Sequence, residues 1–320
     1  LDSSGSEDPV PGRDICDYIQ DCARGDSEIP EVFFVHEANP RYALPGSRET
    51  SDFFDTIPFT VSFSQFMDET AARSDLILPN PYFLERLDDS FTPFGSAENN
   101  YSLAQPVIEP LTGSKPTSEL FLDLARKLDV HLGIKSYAEL LRKKARRLGA
   151  KWDRLITGQA WTSGTTLAQP RLTVWDQRIE AMCRDHPGTE PDIPSLVLEN
   201  NLKTGSPQTG LPPFGLKALL EEELSEGLAA VRINQQTASR LNVRAGQRVT
   251  LTTRAGSIQA RILLDEGVIP NAIAVPTGFG HTHWDMFSRD KGGNANILLS
   301  LTSEAGSGLC YGAAVEARLK

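Results

Sequence analysis

The sequence predicts an α/β domain of three layers followed by a small, closed β-barrel. Three observations lead there. The apolar run Val32–Val35 ends in Glu37-Ala-Asn-Pro, the pattern of a strand buried in a parallel sheet. Between Phe59 and Pro79 a strand, a short helix and a second strand form a βαβ unit, whose crossover is expected to be right-handed. From Ala229 onward, short alternating strands, tight glycine turns and one small helix fit a barrel, a closure that removes exposed edges.

The elements follow in order. Asp14–Ala23 has helical spacing (Ile15, Tyr18, Ile19, Cys22), and Gly25 closes it. The loop after Val32–Val35 lies at a strand's carboxyl end, where open α/β sheets bind ligands, so His36 and Asn39 are candidate contacts; a plain strand-to-turn transition explains them equally well. In the βαβ unit, Ser62, Ser64, Asp68 and Thr70 place four oxygen-bearing side chains near one strand end. Asp68 is suited to capping the short helix at 66–73, with or without a ligand. Residues 84–95 read as a loop and Gln105–Pro110 as extended chain. Ser118–Leu128 reads as a helix with Ser118 as N-cap, and Tyr137–Leu148 as a helix carrying a basic run, either a solvated face or a docking surface for an acidic neighbour. Strand candidates stand at Arg171–Trp175 and Ser195–Leu198 in a loosely patterned connecting region. The barrel segment then contributes a strand at Val231, the helix Gln235–Leu241, and the hairpin Arg248–Thr253 to Ile258–Leu264 turned by Arg254-Ala-Gly-Ser. These boundaries divide the chain into 1–135, 136–227 and 228–320.

Composition narrows the function classes. A net charge of −10 and a pI near 5.1 argue against a nucleic-acid partner. No apolar run approaches the length needed to cross a bilayer. Cys16, Cys22, Cys183 and Cys310 form no CxxC pair, so a self-contained zinc or iron–sulfur site is not expected. Four ordinary thiols is the favoured reading, and cysteine usage leaves the redox compartment unread. The start, Leu1 followed by Asp-Ser-Ser-Gly-Ser-Glu-Asp, has the look of an interdomain segment or a processed end.

The stretch Pro276–Leu299, PTGFGHTHWDMFSRDKGGNANILL, directly follows the strand-like run at Ala272. Its glycines permit close backbone approach to a bulky ligand, and Asn294 and Asn296 offer both donor and acceptor to a heterocycle edge. Glycine and asparagine are also ordinary loop punctuation.

Together these residues carry a family resemblance. The segment LNVRAGQRVTLTTRAGSIQARI resembles the dinucleotide-binding barrel of molybdopterin oxidoreductases of the dimethyl-sulfoxide-reductase type. GFGHTHWDMFSRDKGGNANILL resembles the pterin-facing loop of their polysulfide, thiosulfate and quinone-reductase branch. HEANPRYALPGS, VSFSQFMDETAARSDLILP and FLERLDDSFTPFG with SLAQPVIEP are similar to that family's preceding α/β domain, and the ending SGLCYGAAVEARLK resembles subunits of quinone-linked complexes. The resemblance implies a double-psi-type barrel and a molybdopterin guanine dinucleotide cofactor with Mo or W. His36, Asn39, Ser62, Ser64, Asp68 and Thr70 would then hold one guanine nucleotide end, and Gly280, His281, Thr282, Lys291, Asn294 and Asn296 the pterin and phosphate.

The family's Cys-rich iron–sulfur segment, second α/β domain and metal-ligating residue have no counterpart in these 320 residues, and 195–215 matches its Arg-bearing loop poorly. The expectation is a chain that works only beside that N-terminal half, with iron–sulfur clusters there or in partner subunits. An iron–sulfur electron-transfer subunit and a membrane quinone-binding subunit are the expected partners, at the periplasmic face of the membrane. The alternative is a scaffold that keeps the fold in such a complex without the cofactor.

Overall fold

The computed structural model describes residues 15–46, 48–92, 98–111, 113–166, 193–200, 203, 217–303, 310–312 and 318–319. It divides into two compact units. The first comprises 1–62, 66–76 and 188–320, the second 63–65 and 77–187. The boundaries at 135 and 227 read from sequence group the chain differently, because the barrel segment and the first α/β elements share one unit.

The first unit begins with α1 (Ile15–Arg24), β1 (Val32–Val35), α2 (Pro40–Ala43), α3 (Arg48–Thr56) and β2 (Phe59–Ser62). A single 3₁₀ turn, Ala71–Arg73, follows, and then β3 (Leu76–Ile77). β1 and β2 are parallel, Val32 opposite Phe59, in a sheet of order β1-β2-β3. The strand, short helix and strand expected between Phe59 and Pro79 are all present, the helix reduced to one turn. Helices α1 and α3 cover one face, where Ile19, Phe53, Phe54 and Ile57 form a core and Phe33 meets Phe53 and Phe54 edge-on. The other face departs from expectation: Val32, Phe34 and Phe59 are exposed. Alternate residues of a strand point to opposite faces, so a sheet covered on one side leaves half of an apolar run bare. The helix α3 was not evident in the sequence.

The second unit holds an antiparallel sheet of β4 (Asp88–Phe91), β5 (Glu98–Ala104) and β6 (Trp161–Thr166), in the order β4-β5-β6. Its helices are α4 (Thr117–Lys127), α5 (Tyr137–Arg147) and α6 (Trp152–Leu155). Tyr101, Leu103, Leu141, Ala145 and Leu155 are buried together. Two expectations are corrected here. Residues 88–91, read as loop, pair as a strand. The N-cap of α4 is Pro116 rather than Ser118, and the Thr117 N–H donates instead to Asn80 Oδ1 at 3.0 Å. Helix α5 lies where expected and carries a side-chain cap: Ser136 Oγ accepts from the Glu139 N–H at 3.2 Å.

The first unit resumes with β7 (Ser195–Glu199), β8 (Leu224–Ser225), β9 (Leu228–Ile233), α7 (Gln235–Leu241), β10 (Arg248–Thr252), β11 (Ser257–Leu264) and β12 (Ala272–Pro276). A second 3₁₀ turn, Ala295–Leu298, precedes β13 (Leu301–Ser303), β14 (Cys310–Gly312) and β15 (Arg318–Leu319). The mixed sheet runs β15-β10-β11-β9-β12-β7, with β8 on β9. Every second residue turns inward: Val231 and Ile233, Val249 and Leu251, Ile258, Ala260 and Ile262 meet in one core. The hairpin closes as expected, Thr252 opposite Ser257. The strand candidate at Arg171–Trp175 lies outside the described residues.

The cysteines differ from expectation. Cys22 is a free thiol, but Cys16, 1% exposed, is disulfide-bonded. Spacing signals such as CxxC do not register a bridge between residues distant in sequence.

Candidate functional site

The polar residues singled out in the sequence converge, within the first unit, on one they bracket: Glu69. Asp68 is held in place first. Its Oδ1 accepts the Ala71 N–H at 2.7 Å and caps the 3₁₀ turn. That fixes the next residue, so the Glu69 carboxylate accepts four kinds of donor. These are Asn39 Nδ2 at 2.6 Å, the Thr282 N–H at 2.8 Å, the His283 N–H at 3.1 Å and His281 Nδ1 at 3.1 Å. Burial alone would raise this carboxyl's pKa. Its hydrogen bonds to His281 and Asn39 and the His281 charge outweigh burial and bring it down to about 2. Glu69 is therefore ionised at neutral pH, which requires His281 Nδ1 to carry the hydrogen.

Asn39 binds both ways. While Nδ2 donates to Glu69, Oδ1 accepts from the Thr70 N–H at 3.2 Å and Thr70 Oγ1 at 2.8 Å. Thr70 Oγ1 in turn accepts from the Arg41 N–H at 3.2 Å. Pro40 starts α2, a position where a missing N–H costs nothing, and α2 aims Tyr42 at the barrel loop. The Tyr42 ring stacks on His281 with centroids 3.8 Å apart, and its hydroxyl donates to the Phe279 carbonyl at 2.7 Å. Burial, followed by the Glu69 charge, pushes the Tyr42 pKa well above its ordinary value, so the phenol stays neutral. Asn294 Nδ2 and Asn296 Nδ2 both donate to the Tyr42 carbonyl at 3.0 Å.

The backbone of the loop is just as constrained. Gly280 has φ +79°, its N–H donates to the Lys291 carbonyl at 2.7 Å, and a Cβ there would lie 2.1 Å from the Asn294 nitrogen. No other residue fits that crossing. Trp284 also has positive φ, 92°; its N–H donates to the Met67 carbonyl at 2.7 Å and its ring stacks on Phe66 at 4.8 Å. A bulky residue in that region signals a conformation imposed by its surroundings.

Of the twelve residues named from sequence, the fold joins Asn39, Thr70, His281 and Thr282 through Glu69, with Asp68 capping beside them. Asn294 and Asn296 join through Tyr42, and Gly280 closes the loop. Others stand apart. His36 is exposed beyond β1, Ser62 is fully buried in β2, and Ser64 is buried in the second unit. The Lys291 side chain makes no hydrogen bond among the described residues. Sequence reading missed Glu69 and Tyr42, and the available signal was position: Glu69 sits between the two singled-out residues Asp68 and Thr70, and Tyr42 follows the helix-starting Pro40.

One atom is left over. His281 is fully buried, and its Nε2 has no partner among the described residues. With an Nδ1 hydrogen facing Glu69, Nε2 is the ring nitrogen left to meet another group. Among the described residues no group of three or more His, Cys, Asp or Glu is placed to hold a metal ion.

Residues 216–313 match the family described as "Molydopterin dinucleotide binding domain". The barrel is a molybdopterin dinucleotide-binding domain. The likeness extends beyond it. The chain is 36% identical over 298 residues, 93% of its length, to the menaquinone reductase molybdopterin-binding-like subunit of Nitratidesulfovibrio vulgaris, of which it covers 42%. It is 22% identical over 312 residues to the thiosulfate reductase molybdopterin-containing subunit of Salmonella typhimurium, covering 84% of this chain and 40% of that one. Acetylene hydratase from Pelobacter acetylenicus shares the fold, with a TM-score of 0.65, 17% identity, and coverage of 90% of this chain and 44% of its own. The chain thus spans less than half the length of each of these relatives. The molybdopterin-binding domain supports a molybdopterin cofactor, as the loop resemblance implied.

Proposed function

We propose that this chain is the C-terminal portion of the large subunit of a respiratory molybdopterin oxidoreductase. It holds part of a bis-pterin guanine dinucleotide cofactor, with Mo or W, for electron transfer linked to a quinone or a sulfur compound. The observation that carries this reading is the buried, unpartnered His281 Nε2 on the loop of a molybdopterin dinucleotide-binding domain. It leaves a buried polar atom for a group from outside this chain, such as a pterin ring, to satisfy. When bound, the pterin–metal group supplies the redox chemistry. The chain's own residues bind and orient. Glu69 fixes the His281 ring and tautomer, as partners behind a ligating or binding imidazole do. Thr282, exposed, and Lys291, partly exposed, would meet phosphate, the lysine offsetting its charge.

The relatives named for menaquinone and thiosulfate reduction support the quinone- or sulfur-linked setting. The partners in this reading are the subunit's N-terminal half, an iron–sulfur subunit and a membrane quinone-binding subunit. The setting is the periplasmic face of the membrane, and the Cys16 disulfide supports an oxidising compartment.

A second reading, a scaffold without cofactor, is favoured by one observation. Asn39, Asp68, Thr70, Asn294 and Asn296 each commit a side-chain hydrogen bond to a partner inside the chain. Metal analysis and acid release of guanine nucleotide from the full-length protein separate the two.

A further inference from the structure

We propose that the basic face of α5 and the apolar loop beside it dock on a membrane surface rich in acidic phospholipid headgroups. This face belongs to the second unit and takes no part in the site above. Residues 126–154 hold ten Lys or Arg against three Asp or Glu, whereas the other 291 residues hold 22 against 39. The positive charge is therefore concentrated in one short stretch of an acidic chain.

The structure keeps that charge on the surface. Leu141 and Ala145 face the core, which leaves Arg142, Lys143 and Arg146 outward. Arg142 lies over the Trp152 ring at 5.0 Å, drawing the N-terminus of α6 against the same face. Lys127, Arg146 and Lys151 are exposed and make no salt bridge among the described residues.

Aliphatic side chains stand beside the charges. Leu128, Val130 and Leu132, in the loop after α4, are 65%, 51% and 52% exposed. Lys143 Nζ donates to the Gly133 carbonyl at 2.6 Å, which ties this loop to the basic helix. Cations that reach headgroups, flanked by aliphatic tips that reach the acyl boundary, are the composition of an interfacial surface. The centre of a protein–protein interface favours aromatic residues and is poor in lysine, which this patch is not. The proposal rests on the quinone-linked reading only in taking a lipid membrane as the acidic surface at hand, and vesicle binding requires neither cofactor nor quinone.

The test is co-sedimentation of the full-length polypeptide with vesicles of equal parts phosphatidylglycerol and phosphatidylcholine, against phosphatidylcholine alone. Binding is expected to the acidic vesicles only, and to fall steeply between low salt and about 0.5 M salt. The triple change Lys127→Glu, Arg146→Glu and Lys151→Glu is expected to lower partitioning more than about tenfold without shifting the melting temperature. The pair Leu128→Ser and Val130→Ser is expected to weaken it severalfold. Should the triple variant fold poorly, the salt dependence and the lipid selectivity of the unaltered protein decide. No binding to acidic vesicles, equal binding to both kinds, or binding indifferent to the charge reversals would overturn the proposal. Tight binding to polyglutamate with none to acidic vesicles would assign the face to an acidic protein instead.

Discussion

Glu69 draws donors from three stretches of chain, at Asn39, at His281 and at the two N–H groups that follow His281. A buried carboxylate so satisfied is costly to alter, because removing its charge leaves donors facing a poor acceptor. In Glu69→Gln the amide nitrogen meets a donor wherever it points. The expected cost is about 2–4 kcal/mol, seen as a lower melting temperature at pH 7. Its pH dependence has a definite sign. The folded-state pKa lies below the ordinary carboxylate value, so the stabilisation is full above about pH 4.5 and is lost as pH falls towards about 2. The gap in stability between wild type and Glu69→Gln should accordingly narrow over that acid range; a constant gap would remove the charge from the explanation. Glycines give a second contrast. Gly280 and Gly246 both have positive φ, but only Gly280 meets backbone at 2.1 Å, while Gly246 faces open space. Gly246→Ala should cost about 1 kcal/mol, the strain of the left-handed conformation alone. Gly280→Ala should cost more than about 3 kcal/mol by denaturant titration, or displace the loop. Equal costs would mean the crossing is softer than it looks.

At the scale of elements, legibility followed how local each signal was. The hairpin at Arg254–Ser257 was readable because turn and alternation are adjacent in sequence. Helix α5 was likewise readable, over Tyr137–Leu148, within one contiguous stretch. The strand β4 was missed because Asp88-Asp89-Ser-Phe has no strand composition; it is a strand only because β5 pairs with it. The apolar run of β1 suggested burial on both faces, yet only one is covered in this chain. The site behaved similarly. Asn39, Asp68, Thr70 and His281 stood out as residue types in suggestive places, while Glu69, which gathers them, was not singled out. Capping makes an element-scale prediction. Asn234 Oδ1 accepts the Thr237 N–H at 2.8 Å at the start of α7, and the side chain is 4% exposed. Asn234→Ala should lower the stability of the first unit by about 1 kcal/mol, measured by chemical denaturation. No loss would mean that α7 is held by packing of Ala238 alone.

At the scale of the molecule, the barrel's last long loop and the α/β segment near Asn39 and Glu69 belong to one unit although more than 200 residues separate them. The intervening residues 77–187 form a unit with its own core and carry the basic helix. No helix among the described residues is long and apolar enough to cross a membrane. In the proposed reading, a loop already tied to distant segments by hydrogen bonds has little further to order when a large cofactor binds.

The central claim is that this loop holds a molybdopterin dinucleotide. Its most direct test is the metal and guanine-nucleotide content of the full-length protein from its native assembly. The account predicts about one Mo or W and about two guanine nucleotides per copy, as a bis-pterin dinucleotide centre requires, with clearly less nucleotide retained after His281→Ala. Neither metal nor guanine nucleotide in a folded native assembly would contradict it and leave the loop as a structural joint.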